Sequence, residues 1–353
     1  MKIITVVGAR PQFIKSGPVS RALEAGGVNE HVIHTGQHYD LNMSEVFFDA
    51  LGLRQPDFHL GVGSGTHGSQ TGAMLSEIEA ILLKEKPDGL LVYGDTNSTL
   101  AGALAAAKLH VPVIHVEAGL RSFNRRMPEE INRVLTDHIS ELLFCPTITA
   151  VNHLSSEGIT RGVHMVGDVM KDAVDYWQAR KPTDVPRTLP SGIAAGEYYL
   201  STVHRAENVD DPTRLNAILR ALGQLPLPVI LPLHPRTRSI LMERGEKLPD
   251  GVHVIDPVGY LEMLELQAGA KAILTDSGGV QKEAYMLGIP CITLRDETEW
   301  VETVQSGWNT LVGANTDAIV RAGVEVRVPR ERPELYGDGR ASERIVCAIQ
   351  ESL

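Results

Sequence analysis

Asp95, Glu117 and Glu129 are the residues whose type and placement point first to chemistry. Asp95 lies in Tyr93-Gly94-Asp95-Thr96-Asn97-Ser98, between an apolar run and an Ala-rich helical stretch. An Asp there can also serve as a helix cap. Glu117 ends the apolar run Pro112–Val116 and precedes Ala118-Gly119-Leu120-Arg121. A carboxylate that closes a buried strand needs a partner. Glu129 and Glu130 follow Pro128 at the start of another helix, with Arg133 about one turn on. The helix dipole favours acids there whatever their role. Three carboxylates at strand or helix ends suggest proton transfer, which needs such groups in environments that separate their pKa values.

A second constellation suits an anion. The apolar run Ala272–Thr275 leads into Asp276-Ser277-Gly278-Gly279 and then helix-compatible Val280–Leu287. Two glycines allow close approach of backbone to ligand, and the free N–H groups of the following helix favour phosphate. Ser277 can add a hydroxyl donor, and Glu283, one or two turns into that helix, suits ribose hydroxyls better than phosphate. Gly8-Ala9-Arg10-Pro11-Gln12 follows the first apolar run, which places Arg10 in a ligand-facing loop and Lys15 about one turn into a helix. His204 and Arg205, in Thr202-Val203-His204-Arg205-Ala206-Glu207-Asn208, hold the equivalent place later in the chain. Either can neutralise a diphosphate and assist a leaving oxyanion. His34, Gln37, His38 and His234 complete the set of polar groups at strand ends.

The elements that must position these groups alternate along the chain. Ile3–Val7, Glu30–His34, Gly89–Val92, Pro112–Val116 and Glu141–Phe144 read as buried strands, with helical stretches at Pro11–Ala25, Thr71–Glu85 and Asn97–Leu109. Apolar strands joined by helices indicate a parallel sheet covered on both faces, a doubly wound domain. The Pro-rich stretch from Lys181 to Gly192 breaks the pattern, after the helical stretch Val169–Arg180. It restarts with strands at Tyr198–Thr202, Val229–Leu233, His253–Ile255, Ala272–Thr275 and Cys291–Leu294. The reading is an α/β protein of two doubly wound, Rossmann-like domains facing each other across a cleft. Residues 1–170 carry the carboxylates and residues 171–340 carry the anion site. A last helix from 341 to 353 packs back on the first domain. Ligands of such sheets bind beyond the carboxyl ends of the strands, where most of these motifs fall.

Composition narrows the function classes. The 353 residues exceed the roughly 250–300 at which one core stops growing. A net charge of -11 argues against a nucleic-acid-coating surface. No stretch reaches the ~20 apolar residues of a membrane span. The first apolar run is too short for the core of a signal peptide, so a cytoplasmic protein is expected. The three cysteines, Cys145, Cys291 and Cys347, show no metal or redox spacing and read as small core residues. Gly8-Ala9-Arg10 lacks the dinucleotide fingerprint, and no His-Glu-x-x-His pattern accompanies the 13 histidines. No cofactor and no metal are expected.

Taken together, Gly8-Ala9-Arg10-Pro11-Gln12-Phe13-Ile14-Lys15, His34-Thr35-Gly36-Gln37-His38, Gly94-Asp95-Thr96, Val116-Glu117-Ala118-Gly119-Leu120-Arg121, Pro128-Glu129-Glu130, His204-Arg205-Ala206-Glu207-Asn208 and Asp276-Ser277-Gly278-Gly279 closely resemble the non-hydrolysing UDP-N-acetylglucosamine 2-epimerase family. The resemblance spans essentially the whole chain. It implies a glycosyltransferase-B-like fold, a homodimer, and elimination of UDP across C1–C2 to a 2-acetamidoglucal, followed by re-addition. By resemblance Arg10, His204, Ser277, Gly278 and Gly279 hold the diphosphate and Glu283 the ribose. Asp95, Glu117 and Glu129 match the catalytic carboxylates, with Lys15 and Arg133 beside the sugar.

The chain departs from the family's usual pattern at two places. Tyr39-Asp40 replace an Arg and further polar residues that many members use for an allosteric UDP-sugar. In Glu297-Thr298-Glu299-Trp300-Val301-Glu302, Trp300 stands where Arg is usual. That variant looks more like relatives acting on UDP-2,3-diacetamido-2,3-dideoxyglucuronic acid, a second candidate substrate. A glycosyltransferase of the same architecture, a hydrolysing epimerase and a non-catalytic nucleotide-sugar binder are the competing readings.

Overall fold

The structure, a computed structural model, describes residues 1–37, 53–180 and 189–353. His38, Tyr39 and Asp40, singled out above, lie outside the described residues. The described residues divide into two compact units, Met1–Tyr176 with Tyr336–Leu353, and Trp177–Leu335.

The first unit holds strands β1 Lys2–Val7, β2 Asn29–His34, β3 Phe58–His59, β4 Gly89–Tyr93, β5 Val113–Val116, β6 Leu142–Cys145 and β7 Val163–Met165. They form one parallel sheet in the order β3-β2-β1-β4-β5-β6-β7. The second unit holds β8 Tyr199–Thr202, β9 Val229–Pro232, β10 Val252–Ile255, β11 Ala272–Thr275, β12 Cys291–Thr293 and β13 Asn309–Leu311. Their order is β10-β9-β8-β11-β12-β13, again all parallel. Both sheets reverse strand order once, between β1 and β4 and between β8 and β11. A doubly wound sheet binds its ligand at that switch point.

The strands read as unbroken apolar runs because each sheet is covered on both faces. Ile3, Val7, Leu91, Tyr93 and Val116 enter one core of the first unit, and Ile4, Val6, Leu90, Val92 and Val113 the other. Tyr199, Leu231 and Leu274 face one core of the second unit, and Tyr198, Leu200, Ile230 and Ile273 the other. Three strands escaped sequence reasoning: β3, β7 and β13. Each has only two or three residues, which leaves little pattern to read.

The last helix, Ala341–Ser352, belongs to the first unit. Ile345 and Ile349 are fully buried in the core that also holds Val19 and Leu23 of the helix Arg10–Ala25. The Asp172 carboxylate accepts from the N–H groups of Ala341 (3.1 Å) and Ser342 (2.7 Å), which satisfies two of the donors that a helix start leaves open. Cys145 and Cys291 are core residues, but Cys347 is exposed on this helix. Its helical position falls on the opposite face from Ile345 and Ile349, which overrides the usual burial of cysteine.

His34, at the end of β2, is 6% exposed, and its ring stacks on Phe13 (5.0 Å between centroids) and His59 (5.5 Å). It was grouped above with the polar residues of the ligand face; the structure packs it into the interior. Burial first, and then the neighbouring His59, lower its pKa from 6.5 to about 4.

Two outcomes follow from this packing. Ile349→Ala should cost the first unit about 2–5 kcal/mol, read as a lower denaturant midpoint, because it leaves a cavity against a helix distant in sequence. His34 takes a proton near pH 6.5 when unfolded but only near 4 when folded. Its stabilising effect is therefore complete above about pH 6.5 and lost as pH falls towards 4, a difference of about 3 kcal/mol. Denaturation series across that window should lose that slope in His34→Phe.

Candidate active site

In the first unit the polar groups converge at the switch point. The Gln12 side chain closes the turn after β1, its Oε1 accepting from the N–H groups of Gly8 (2.8 Å) and Ala9 (3.0 Å). Its Nε2 donates to the Tyr93 carbonyl (2.8 Å) and to Thr96 Oγ1 and Thr99 Oγ1 (3.0 Å each), so one amide joins the loops after β1 and β4. The one sequence signal of Gln12 is a polar side chain at the first helical turn after a buried strand. One turn on, Lys15 places its ammonium against the Glu117 carboxylate, both side chains being largely buried.

Gly94 has φ +61°, a conformation open to glycine. A Cβ there would lie 3.3 Å from Glu117 Oε2 and 3.7 Å from Lys15 Nζ, so the ion pair sits directly over the loop that carries Asp95. Asp95 is itself paired with Arg133. Arg133 also meets Glu130 at 3.0 Å. Glu130 further accepts from Ser122 N–H (2.9 Å), Ser122 Oγ (3.0 Å) and Phe123 N–H (2.9 Å). The adjacent carboxylates thus differ: Glu130 is buried and committed to holding a loop, and Glu129 is exposed. Arg10 begins the helix after β1 and is half-buried. Gln37 turns its Oε1 to Ser98 N–H (2.9 Å) and Oγ (2.6 Å), a bond at the start of the helix Asn97–Lys108.

The second unit repeats the plan with a capped helix start at its own switch point. Ser277 caps the helix Gly278–Leu287, which opens with the two glycines. A Cβ on Gly278 would lie 2.4 Å from Glu299 Oε1, so any larger residue there would displace that carboxylate. Asp276, read above as the first residue of the phosphate turn, is fully buried and faces inward. It accepts from His204 N–H (3.1 Å), Arg205 N–H (3.0 Å) and Asn208 Nδ2 (3.1 Å), and so holds the loop after β8. The His204 side chain is 41% exposed, with Nδ1 3.3 Å from Asp276 Oδ1. His234 lies alongside, its ring centroid 6.0 Å from that of His204. Burial, then the adjacent His204 and Arg236, lower its pKa. Glu283 is buried one to two turns into the helix and accepts from Gln267 Nε2 (2.7 Å).

Trp300 is buried, and the ammonium of Lys282, a residue 1% exposed, lies 4.2 Å from its ring centroid. Where the usual pattern has a cation, this chain presents an aromatic face to a buried one. Arg295 pairs with Glu299 at 2.9 Å, and that carboxylate faces Gly278. Burial raises the Glu299 pKa, and Arg295 and Arg205 outweigh it and hold the group low. Lys282, Arg295 and Glu299 carry no sequence signal beyond ordinary charge.

The arrangement supplies two capacities. The first unit offers carboxylates with cations beside them, able to take and return a proton. The second offers helix N–H groups, a hydroxyl and an imidazole, able to hold a phosphate. No group of three or more metal-ligating side chains occurs among the described residues. No helix among them is long and apolar enough to cross a membrane.

The chain matches the family described as UDP-N-acetylglucosamine 2-epimerase over residues 21–350. It is 54% identical, over 98% of both chains, to the UDP-2,3-diacetamido-2,3-dideoxy-D-glucuronate 2-epimerase of Pseudomonas aeruginosa. Its fold superposes with a TM-score of 0.91 on the Methanocaldococcus jannaschii UDP-GlcNAc 2-epimerase solved with UDP-GlcNAc and UDP, at 47% identity and full coverage of both chains. The Neisseria meningitidis UDP-GlcNAc 2-epimerase bound to UDP-GlcNAc gives 0.90 at 31% identity, again with full coverage of both. Two switch-point sites on two Rossmann-like units, matched over nearly the whole length, place this chain in the UDP-N-acetylglucosamine 2-epimerase family of isomerases.

Proposed function

We propose that the protein inverts C2 of a UDP-2-acetamido sugar without hydrolysing it, by eliminating UDP and adding it back. The observation that carries this reading is the division of labour: ion-paired carboxylates at one switch point and a glycine-opened, serine-capped helix start beside a histidine at the other. The C2 hydrogen has no carbonyl next to it, so its direct removal would be very slow. Elimination avoids that. A carboxylate takes the C2 proton, the new pair forms the C1=C2 bond, and the C1–O pair leaves with UDP. In the return step the UDP oxygen attacks C1 and a proton is delivered to the opposite face of C2.

In this scheme Asp95, Glu117 and Glu129 share the proton transfers, and Lys15 and Arg133 place two of them beside the sugar. Arg10, His204, Ser277, Gly278 and Gly279 hold the diphosphate, Glu283 the ribose, and His204 steadies the departing oxyanion. Gln37, His38 and His234 are assigned to the remaining substrate contacts. Neither redox cofactor nor metal is needed. A cytoplasmic homodimer completes the proposal: the family resemblance supports the dimer, and three free thiols suit a reducing compartment.

UDP-N-acetylglucosamine is the first candidate substrate, supported by the complexes of the two solved relatives. A specific observation also favours UDP-2,3-diacetamido-2,3-dideoxyglucuronic acid: Trp300 stands in the usual Arg position, and the 54% identical relative is named for that sugar.

Incubation with each sugar in D₂O should give the 2-epimer of one of them, with deuterium at C2 in both epimers by NMR. Neither exchange nor a new epimer from either sugar would falsify the reading. Free sugar and UDP as irreversible products would identify a hydrolase, and donor loss only with an acceptor present would identify a glycosyltransferase. Asp95→Asn and Glu117→Gln should each lower kcat by about 10²–10⁴-fold, measured by the same exchange, with UDP affinity by calorimetry close to wild type. A binder without catalysis would show no exchange to lose.

A further inference from the structure

Beneath the carboxylates of the first unit lies a buried charged cluster that the scheme above does not use. His115, in the middle of β5, is fully buried. Its Nδ1 is 2.7 Å from Asp137 Oδ1, and its Nε2 is 2.8 Å from the Gly94 carbonyl oxygen. Asp137, on the helix Pro128–Ile139 and 1% exposed, has its other oxygen on the Gly119 N–H (3.1 Å) and on Arg121 Nη1 (2.7 Å). Arg121 donates onward to both oxygens of Glu157, at 2.7 and 2.8 Å.

Hydrogen-bond accounting decides which atoms carry protons. A carbonyl oxygen only accepts, so His115 Nε2 must bear a hydrogen. Asp137 accepts from an amide and a guanidinium on one oxygen, and an ionised carboxylate is acceptor-only. Beside Arg121 the Asp137 carboxyl is held ionised, so the bond on its other oxygen needs a hydrogen from His115. Both ring nitrogens donate. The buried charges of His115, Asp137 and Arg121 are then answered by one another and by Glu157, whose side chain is 26% exposed at the edge of the cluster. Burial alone would raise Asp137, and His115 and Arg121 hold it below the usual carboxylate range.

The cluster ends at the two loops that carry the proposed proton carriers. Gly94, whose carbonyl His115 holds, precedes Asp95, and its N–H donates to the Val116 carbonyl (3.0 Å). Gly119, whose N–H Asp137 holds, lies two residues after Glu117. Glu117 has φ +74°, a left-handed conformation that costs a non-glycine residue about 1–2 kcal/mol and persists only where its surroundings impose it. The Phe144 carbonyl accepts from both Glu117 N–H (3.0 Å) and Ala118 N–H (3.1 Å).

We propose that His115 and Asp137 are positioning residues that act through the backbone, a doubly donating imidazole and its carboxylate fixing the spacing of Asp95 and Glu117. Their contribution to turnover rests on the epimerase reading; their hydrogen-bond arrangement does not. Neither touches the substrate. Each loop must hold its carboxylate to within a fraction of an ångström of the reacting carbon, and misplacement by about 1 Å can cost on the order of 10² in rate.

The test has two arms on the full-length protein. In ¹⁵N-histidine-labelled wild type, the His115 ring, assigned by its loss in His115→Asn, should show two protonated-type nitrogens at neutral pH. One unprotonated ring nitrogen would overturn the arrangement. In the kinetic arm, His115→Gln and Asp137→Asn should lower kcat about 100-fold, with KM and UDP affinity within about threefold of wild type. Leu143→Ala, an equally buried change in the neighbouring strand, should lower stability but leave kcat within about threefold. Folded variants that keep wild-type kcat, or a Leu143→Ala protein that loses as much, would overturn the positioning role. Should the variants fail to fold, the ring nitrogens of the wild type still decide the arrangement. A wild type inactive on both sugars would overturn the epimerase reading, with the NMR result standing apart from it.

Discussion

A carboxylate sealed from water must have its charge answered by hydrogen bonds or cations, and both units are organised around one that is. In the first, Asp137 is answered by the Gly119 amide, Arg121 and His115. In the second, Asp276 is answered by the amides of His204 and Arg205 and by Asn208. An ionised group left unpaired in such a place would be strongly destabilising, so the loops that supply its donors have little freedom to relax. Asp95, Glu117 and His204, three of the side chains proposed for the reaction, are carried by those loops, on the switch points of two parallel sheets. Rigidity at the site is thus a consequence of electrostatic necessity beneath it.

The same logic separates neighbours that look alike in sequence. Glu129 and Glu130 are adjacent acids at one helix start, yet Glu130 is buried under four donors and Glu129 faces out. Asp276 and Ser277 are adjacent in one turn, yet the acid points into the core and the hydroxyl caps the helix. Arg121 is buried and spent on two acids, whereas Arg10 stays half-exposed at the start of a helix.

Much of the architecture was legible because a strand buried on both faces leaves an apolar run that few other structures produce. Ile3–Val7 and Ala272–Thr275 were recognisable on that basis, with their glycine-bearing turns. Of the candidate site, the parts legible in the sequence are those where an uncommon residue interrupts a run: Glu117 after Val116, or two glycines after Ser277. What escaped was set by distant contacts. His115 reads as one polar residue in an apolar strand, and nothing in its neighbours indicates that its partners stand at Gly94 and Asp137. Lys282 reads as an ordinary helix charge until the fold lays it across Trp300. His34 shows the converse: its polar type suggested the ligand face, but stacking between Phe13 and His59 drew it inside. Cys347 was misread for a related reason, since residue type was weighed above helical position.

The burial of Ile345 and Ile349 against the helix Arg10–Ala25 bears on how the protein is made. The unit that leaves the ribosome first is completed last, since its closing helix follows the whole of Trp177–Leu335. At about 5–20 residues per second, that intervening stretch imposes a delay on the order of ten to thirty seconds. Throughout it, the groove that Ile345 and Ile349 will fill is an open apolar surface on a nascent chain. A growing chain with such a surface is a natural client for chaperones. An early stop codon near the end would leave that surface uncovered for good, although every residue proposed for the reaction had already been synthesised.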